Sequence, residues 1–475
     1  MLEQGLVPTV FEKNNVAGGV WRNEGGNVWE NMRTNLTRIN VSFSNHVWSK
    51  DTDLFPTGAQ VQEYLDNFIE KFNLKNYIKC KSNVIYVKQR ADHCWCVTWS
   101  CDENINEKVF DFIVIANGAF SNPLIPEYDT KIFNGQIAHS MNYNCIKSNQ
   151  KLKNKKVIVC GHSFSATEIC ADLVEQEANV LNVFRNPHWV VKKFIKLPEK
   201  SVDCPIDFGL MNRKGNEEEK IFANKKDLNI NKNNFLHKIC QPQNSRKELF
   251  INPNSSDPPF ISISERYLEM VEQNRILIKK GRIEKFTNSG VYFDDGSYND
   301  ADIVLFSTGY RLDLNFLQKD VLDLIEFDST DDLYPFISYK GTFHPLIKNL
   351  AFVGIKRSFY PMIEMQARWA SLVFSERIKL PSTEIMSVSF NKEKELKKLP
   401  LRERNSRLDG LISLIDSIAE EINALPDFIK IKKENPRLYK ILWEGPLSSV
   451  HYKLEDEDES INYVLNEIES RMNNL

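Results

Sequence analysis

The sequence predicts an α/β protein with two Rossmann-like dinucleotide-binding domains and a helical C-terminal region. Three observations predict it. First, NKKVIVCGHSFSATEICADLVEQEANVLNVFR reads as strand, glycine turn, helix and strand with almost no linker, a complete βαβ unit. Second, the apolar runs in IVIANG and IVLFSTG both end in small-residue turns, as strands do at the carboxyl edge of a parallel sheet. Third, the opening MLEQGLVPTVFEKNNVAGGVWR reads as helix tail, strand and terminal acid, the second half of another βαβ unit.

Taken in order, residues 1–147 form the first part of one nucleotide-binding domain. Met1 to Gly5 reads as the last turn of a helix with a glycine stop, and Pro8 to Phe11 as a short strand ended by Glu12. Glu12 stands where an acid binds an adenosine ribose. A glycine loop belongs roughly 20 residues before such an acid, which places it upstream of Met1 and leaves this domain incomplete. Gly18 and Gly19 in AGGVWR give a backbone that a cofactor can approach closely, and Val20 and Trp21 continue that turn.

Residues 148–298 form the second nucleotide-binding domain. Gly161, Ser163 and Ala166 occupy the three glycine positions of its turn: one for the tight bend, one for backbone approach to a pyrophosphate, one for helix–strand packing. The amides of Ser165, Ala166 and Thr167 open the helix, whose N-terminus favours phosphate. Arg185 fills the slot where an NAD enzyme carries an acid, which suits the 2′-phosphate of NADP, and Lys192 and Lys193 add positive charge. An Asn/Lys-rich stretch at about 209–256 has weak periodicity and reads as an insertion or lid rather than core. Asp295-Gly296 is a tight hairpin turn. Residues 299–385 return to the first domain through the strand Ile303 to Phe306 and Ser307-Thr308-Gly309, and 386–475 are helical and charged.

Composition narrows the function classes. A hydrophobic share of 42% and a charged share of 26% over 475 residues are those of a globular protein with two or three domains. A net charge of -3 gives no nucleic-acid footprint. No apolar run is long enough to cross a bilayer, and no signal peptide opens the chain. The nine cysteines contain no CxxC pair, and Cys94 and Cys96 alternate along a strand, which suits reduced thiols and a cytoplasmic setting. The eight histidines assemble no metal-ligand or nucleophilic cluster, so no metal is expected.

FNGQIAHSMNY then supplies Phe133, Gly135, His139 and Tyr143, an FxGxxxHxxxY pattern placed just before the NADP-type turn. This resembles the identifying motif of flavin-containing monooxygenases. RTNLTRI is similar to that family's active-site asparagine loop, LFSTGYRLDLNFL to its Ala-Thr-Gly-Tyr segment, and LAFVGIKRSFYPMIEMQARWASLVF to the strand and helix that approach the flavin. The resemblance runs from Met1 to about Leu454. It implies FAD and NADPH as cofactors, dioxygen as co-substrate, and oxygenation of an amine nitrogen or sulfide sulfur through a flavin hydroperoxide. Asn35 is implied as the catalytic residue holding that species and NADP. Thr34 and Thr308 are implied as cofactor contacts, Gln366 at the flavin's pyrimidine edge, and Trp21 as flavin packing. Without the resemblance, Asn35 reads as a turn residue and Gln366 as a surface helical one. The charge balance points to no nucleic-acid partner, the membrane-anchoring tail of the family's mammalian members is not expected here, and a homodimer is left open.

Three departures carry weight. Baeyer–Villiger relatives have Trp where Tyr143 stands, which points to the N- and S-oxygenating group. SFSNHVWS replaces an Asp-Phe-Pro-rich segment, so substrate access and local fold are expected to differ. The phosphate loop expected upstream of Met1 leaves, as the alternative, an NADP-binding remnant with poor flavin retention.

Overall fold

The computed structural model describes the chain except residues 23–27, 30, 121, 198–201, 223, 241–242, 244, 357–358, 401–402, 405–409 and 457. Near the start, Gly5 adopts the left-handed conformation (φ 76°) and its amide donates to the Leu2 carbonyl, closing a short helical turn as expected. Strand β1 (Val10–Phe11) pairs in parallel with β2 (Ile78–Lys79). Phe11 packs on Trp99 and Phe110, ring centroids 4.7 and 6.0 Å away, which belong to an antiparallel meander of Ser82–Gln89, Trp95–Cys101 and Asn104–Phe110. Strand β3 (Ile113–Ile115) follows.

The largest sheet holds five parallel strands. They are β4 (Gln136–His139), β5 (Lys156–Cys160), β6 (Asn179–Phe184), β7 (Ile276–Lys280) and β8 (Ile303–Phe306), in the order β7-β6-β5-β8-β4. Val157 to Val159 and Ile303 to Phe306 are buried without interruption, as strands covered on both faces must be. Helix α1 (Phe164–Glu175) crosses from β5 to β6 and buries Ile169, Cys170 and Leu173 completely. Each such aliphatic side chain contributes about 1.5–3 kcal/mol of burial.

Two expectations change here. The boundaries drawn at 148 and 298 pass through this sheet, because β8 lies between β5 and β4 and pairs with both. IVIANG and IVLFSTG also belong to different sheets: β3 pairs instead with β9 (Leu350–Phe352). An apolar run shows that a strand is buried on both faces, but not which neighbour it finds. Helix α2 (Tyr360–Phe374) follows β9 and buries Met365, Gln366 and Trp369.

Asp295-Gly296 turns a hairpin between Gly290–Phe293 and Tyr298–Asp300, with Gly296 at φ 81°. The 209–256 stretch is more ordered than its periodicity implied. It forms the helices Arg213–Glu218 and Lys225–Ile239, and Asn233 is buried inside it. The Asn233 amide donates to the Asn229, Ser255 and Asp257 carbonyls and accepts from Trp189 Nε1 at 2.8 Å. Polar side chains that satisfy buried backbone hold this segment, so an apolar pattern could not reveal it. After 383 the chain is helical, as expected, in Thr383–Lys398, Leu411–Glu421, Phe428–Glu434, Pro436–Glu444 and Glu459–Asn473. All nine cysteines are free thiols. Among the described residues, no helix is long and apolar enough to cross a membrane and no His/Cys/Asp/Glu group could hold a metal.

Candidate cofactor sites

The turn between β5 and α1 requires glycine at 161. Its φ is 127°, and a Cβ there would lie 2.4 Å from the Ser307 carbonyl oxygen on the neighbouring strand end. Ser163 is the extended N-cap of α1, and its side chain makes no capping bond. The amides of Phe164, Ser165 and Ala166 therefore point out of the helix end without protein acceptors among the described residues, a ready anion site. Thr167 departs from its expected role. Its amide closes the first turn on the Ser163 carbonyl at 3.1 Å, and its buried hydroxyl bonds Ser262 Oγ at 2.6 Å. Arg185 is exposed just after β6, and its guanidinium has no hydrogen bond or ion pair among the described residues. Lys193 is not beside it in character: it is buried, with Nζ 5.7 Å from the centre of the Phe55 ring.

The FxGxxxHxxxY residues are structural. A Cβ on Gly135 would lie 2.4 Å from the Phe133 ring and 2.5 Å from the Asp302 carbonyl. Phe133 packs edge-on to Phe286 at 5.3 Å. His139, at the end of β4, accepts from the Met141 amide through Nδ1 and meets Tyr310 edge-on at 4.9 Å. Burial holds its pKa below the usual histidine range. Tyr143 is fully buried against Trp29 and donates to Asp172 of α1. The motif thus fixes β4 and the turn after it to the sheet and to α1.

On the other side lies the 33–48 loop. Thr34 is buried, with its hydroxyl donating to the Leu36 carbonyl at 2.8 Å and its amide to Pro56. Asn35 is half-buried, and its side-chain amide has no hydrogen-bond partner among the described residues. Thr37 ties the loop down through Asp207, and Ser44 donates from its amide to Glu364 Oε2 of α2 at 2.8 Å. The departing SFSNHVWS text folds as an aromatic knot, with Trp48 stacked on Tyr64 at 4.2 Å and Phe43 4.9 Å from Tyr360.

Trp21 packs on that knot from the turn Gly19–Trp21. Gly18 (φ 134°) is confined by Arg22, whereas Gly19 is exposed and Val20 half-buried. Glu12 accepts from the Asn14 amide through Oε1 at 2.8 Å. Thr308 donates to the Leu124 carbonyl, so its hydroxyl serves the loop. Gln366 is not the surface helical residue that its position alone suggests. It is buried, accepts from the Gly354 amide at 2.9 Å, and donates to the Gly341 carbonyl and Thr342 Oγ1 at 3.0 and 3.1 Å. That amide ties the 341–342 turn to Gly354 after β9.

Sequence reasoning missed the supporting polar groups. Asn182, buried in β6, donates to the Val159 and Gly161 carbonyls and accepts from Tyr267 at 2.6 Å, bracing the glycine turn. His162 Nδ1 accepts from the His188 amide at 3.0 Å, and burial draws its pKa down to about 3, so the ring stays neutral. A lone polar residue within an apolar strand, as in VLNVF, was the available signal.

A family model described as flavin-binding monooxygenase-like matches residues 1–459. The chain belongs to that family. Flavin-containing monooxygenase 5 of Oryctolagus cuniculus is 27% identical over 478 residues, covering 96% of this chain and 85% of its own. Dimethylaniline monooxygenase (N-oxide-forming) 2 of Rattus norvegicus is 28% identical over 481 residues, covering 95% and 85%. An oxidised steroid monooxygenase solved with NADP shares the fold at a TM-score of 0.66 and 15% identity, over 89% of this chain and 94% of that one. This flavin-binding monooxygenase is thus an FMO-type oxidoreductase with FAD and NADPH as cofactors. The residues present fit NADP: a turn that a Cβ would block and, among the described residues, three amides without acceptors and an arginine without an ion pair. Nothing lies within 4 Å of where a Cβ on Gly19 would stand, and the Asn35 side-chain amide has no hydrogen-bond partner among the described residues.

Proposed function

We propose that this monooxygenase oxygenates soft nucleophiles, an amine nitrogen or a sulfide sulfur. One oxygen atom of O2 passes to the substrate and the other leaves as water, with NADPH oxidised to NADP+. The observation that carries the reading is Tyr143, a phenol clamped on Asp172 where ketone-inserting relatives of the family have an indole. The N-oxide-forming name of the rat relative supports it.

Bound FAD supplies the redox and oxygen-transfer chemistry, so the chain needs no acid–base pair of its own. Its residues bind and orient. The N-terminal amides of α1 take the NADP pyrophosphate, and Arg185 takes the 2′-phosphate. The Asn35 amide, able to donate and accept at once, holds the nicotinamide side in register. Trp21 and the aromatic knot exclude water from the flavin side. The test is NADPH oxidation by the FAD-loaded protein with trimethylamine, dimethyl sulfide and cyclohexanone, with products identified by mass spectrometry. N-oxide and sulfoxide are expected; a lactone from the ketone, or no product from the amine and the sulfide, overturns the reading.

A further inference from the structure

A cavity of about 570 Å³ opens between the 31–57 loop and the flank of α1, within the usual size of small-molecule sites. Its walls bring six charged groups together, and most already have partners. Arg33 pairs with Asp53 at 2.7 Å, Arg266 pairs with Glu175, and Glu265 accepts from the backbone amides of Lys193 and Phe194. Two remain. Lys193 is 6% exposed, lines the cavity, and its ammonium has no hydrogen-bond acceptor among the described residues, only the Phe55 ring. Glu168, on the second turn of α1, also lines the cavity, and its carboxylate has neither hydrogen bond nor ion pair among the described residues.

A buried ammonium without an acceptor is costly, because its lost hydration is not replaced. Burial accordingly holds the Lys193 pKa below the ordinary lysine range, with the Glu168 and Glu265 carboxylates opposing that shift. One unmatched positive and one unmatched negative group on the walls of a single cavity ask for a ligand carrying both charges.

We propose that this cavity binds the head group of a free amino acid, its carboxylate on Lys193 and its ammonium on Glu168. The Leu54 side chain and the Phe55 ring in the wall would take an apolar side chain. The site goes beyond the oxygenation reading and does not depend on it, since binding needs no turnover.

The test is isothermal titration calorimetry of the FAD-loaded protein, without NADPH, using L-methionine as the probe. Two analogues each lack one charge: 3-(methylthio)propylamine and 4-(methylthio)butanoate. Each lost charge-assisted contact is expected to weaken binding by about tenfold or more. Lys193→Met should remove the advantage of methionine over the amine alone, and Glu168→Gln its advantage over the acid alone. Saturating NADP+ should leave methionine binding in place. The proposal is overturned if methionine does not bind, if both analogues bind as well, or if NADP+ displaces it, which would assign the cavity to the cofactor. The analogue series uses the unmutated protein, so a misfolded variant cannot decide the outcome.

Discussion

The hydroxyl of Tyr143 donates to Oδ2 of Asp172 across 2.5 Å, with both side chains fully buried. Lys147 Nζ approaches the same carboxylate at 3.1 Å, and Asn31 Nδ2 lies 3.5 Å from Oδ1. A buried carboxylate must have such partners, because an unpaired charge there costs several kcal/mol. The last residue of the FxGxxxHxxxY motif therefore fastens the chain entering the NADP domain to the third turn of α1, the helix whose N-terminus faces the cofactor.

Removing that hydroxyl should loosen the domain without touching the turn itself. Tyr143→Phe keeps the ring against Trp29, 5.7 Å away, and deletes only the hydrogen bond. The expected loss is about 1.5–3 kcal/mol, the range for bonds to charged groups. Urea unfolding measures it. A variant as stable as the parent would show that Lys147 alone satisfies Asp172.

Gly161→Ala should act locally on NADP. The new methyl meets the Ser307 carbonyl at 2.4 Å and forces an L residue to φ 127°, so the turn has to move away from β8. Movement of the turn displaces the amides of Ser165 and Ala166. NADP+ affinity is expected to fall by about tenfold or more, while bound FAD, read from its visible spectrum, stays constant. Equal loss of both cofactors would mean global damage instead.

Arg185→Gln should change cofactor choice. The guanidinium is exposed and has no protein partner among the described residues, so its deletion removes no bond seen there. A charge-assisted contact to the 2′-phosphate is worth about 1.5–3 kcal/mol, hence about a ten- to hundredfold rise in KM for NADPH. KM for NADH, which lacks that phosphate, should hardly move. If both rise together, the arginine serves the turn and not the phosphate.

The βαβ core of the NADP domain was legible because parallel strands read as continuous apolar runs and Gly161 marks the bend. The same logic located the Asp295-Gly296 hairpin and the C-terminal helices. Sheet membership was not legible, since β8 joins β5 across more than a hundred residues and nothing in IVLF specifies that partner. Nor were the polar clamps. Gln366 and Asn233 look like surface residues in a sequence, and only the folded chain shows the backbone groups they satisfy. Lys193 follows the same lesson in reverse: beside Lys192 it looks like one more charge for the cofactor phosphate, yet the bend between Val191 and Phe194 buries it against Phe55.

Stability should also carry a pH signature from Asp207, which anchors the asparagine loop. Its carboxylate is fully buried and accepts from Thr37, two residues beyond Asn35, through Oγ1 at 2.5 Å and N at 3.1 Å. Burial raises the pKa to about 6, with the Thr37 bonds opposing. The folded state thus binds this proton more tightly than the unfolded chain, where aspartate titrates near 3.9. The stabilising contribution is fully present below about pH 4 and is lost as the pH rises through about 6. Two pH units correspond to on the order of 3 kcal/mol. Asp207→Asn keeps an acceptor for Thr37 but cannot ionise, so it should gain stability relative to the parent between pH 4.5 and pH 7.5. Urea midpoints of the two proteins at both pH values measure that gain, and a difference independent of pH would mean that Asp207 does not titrate in this window.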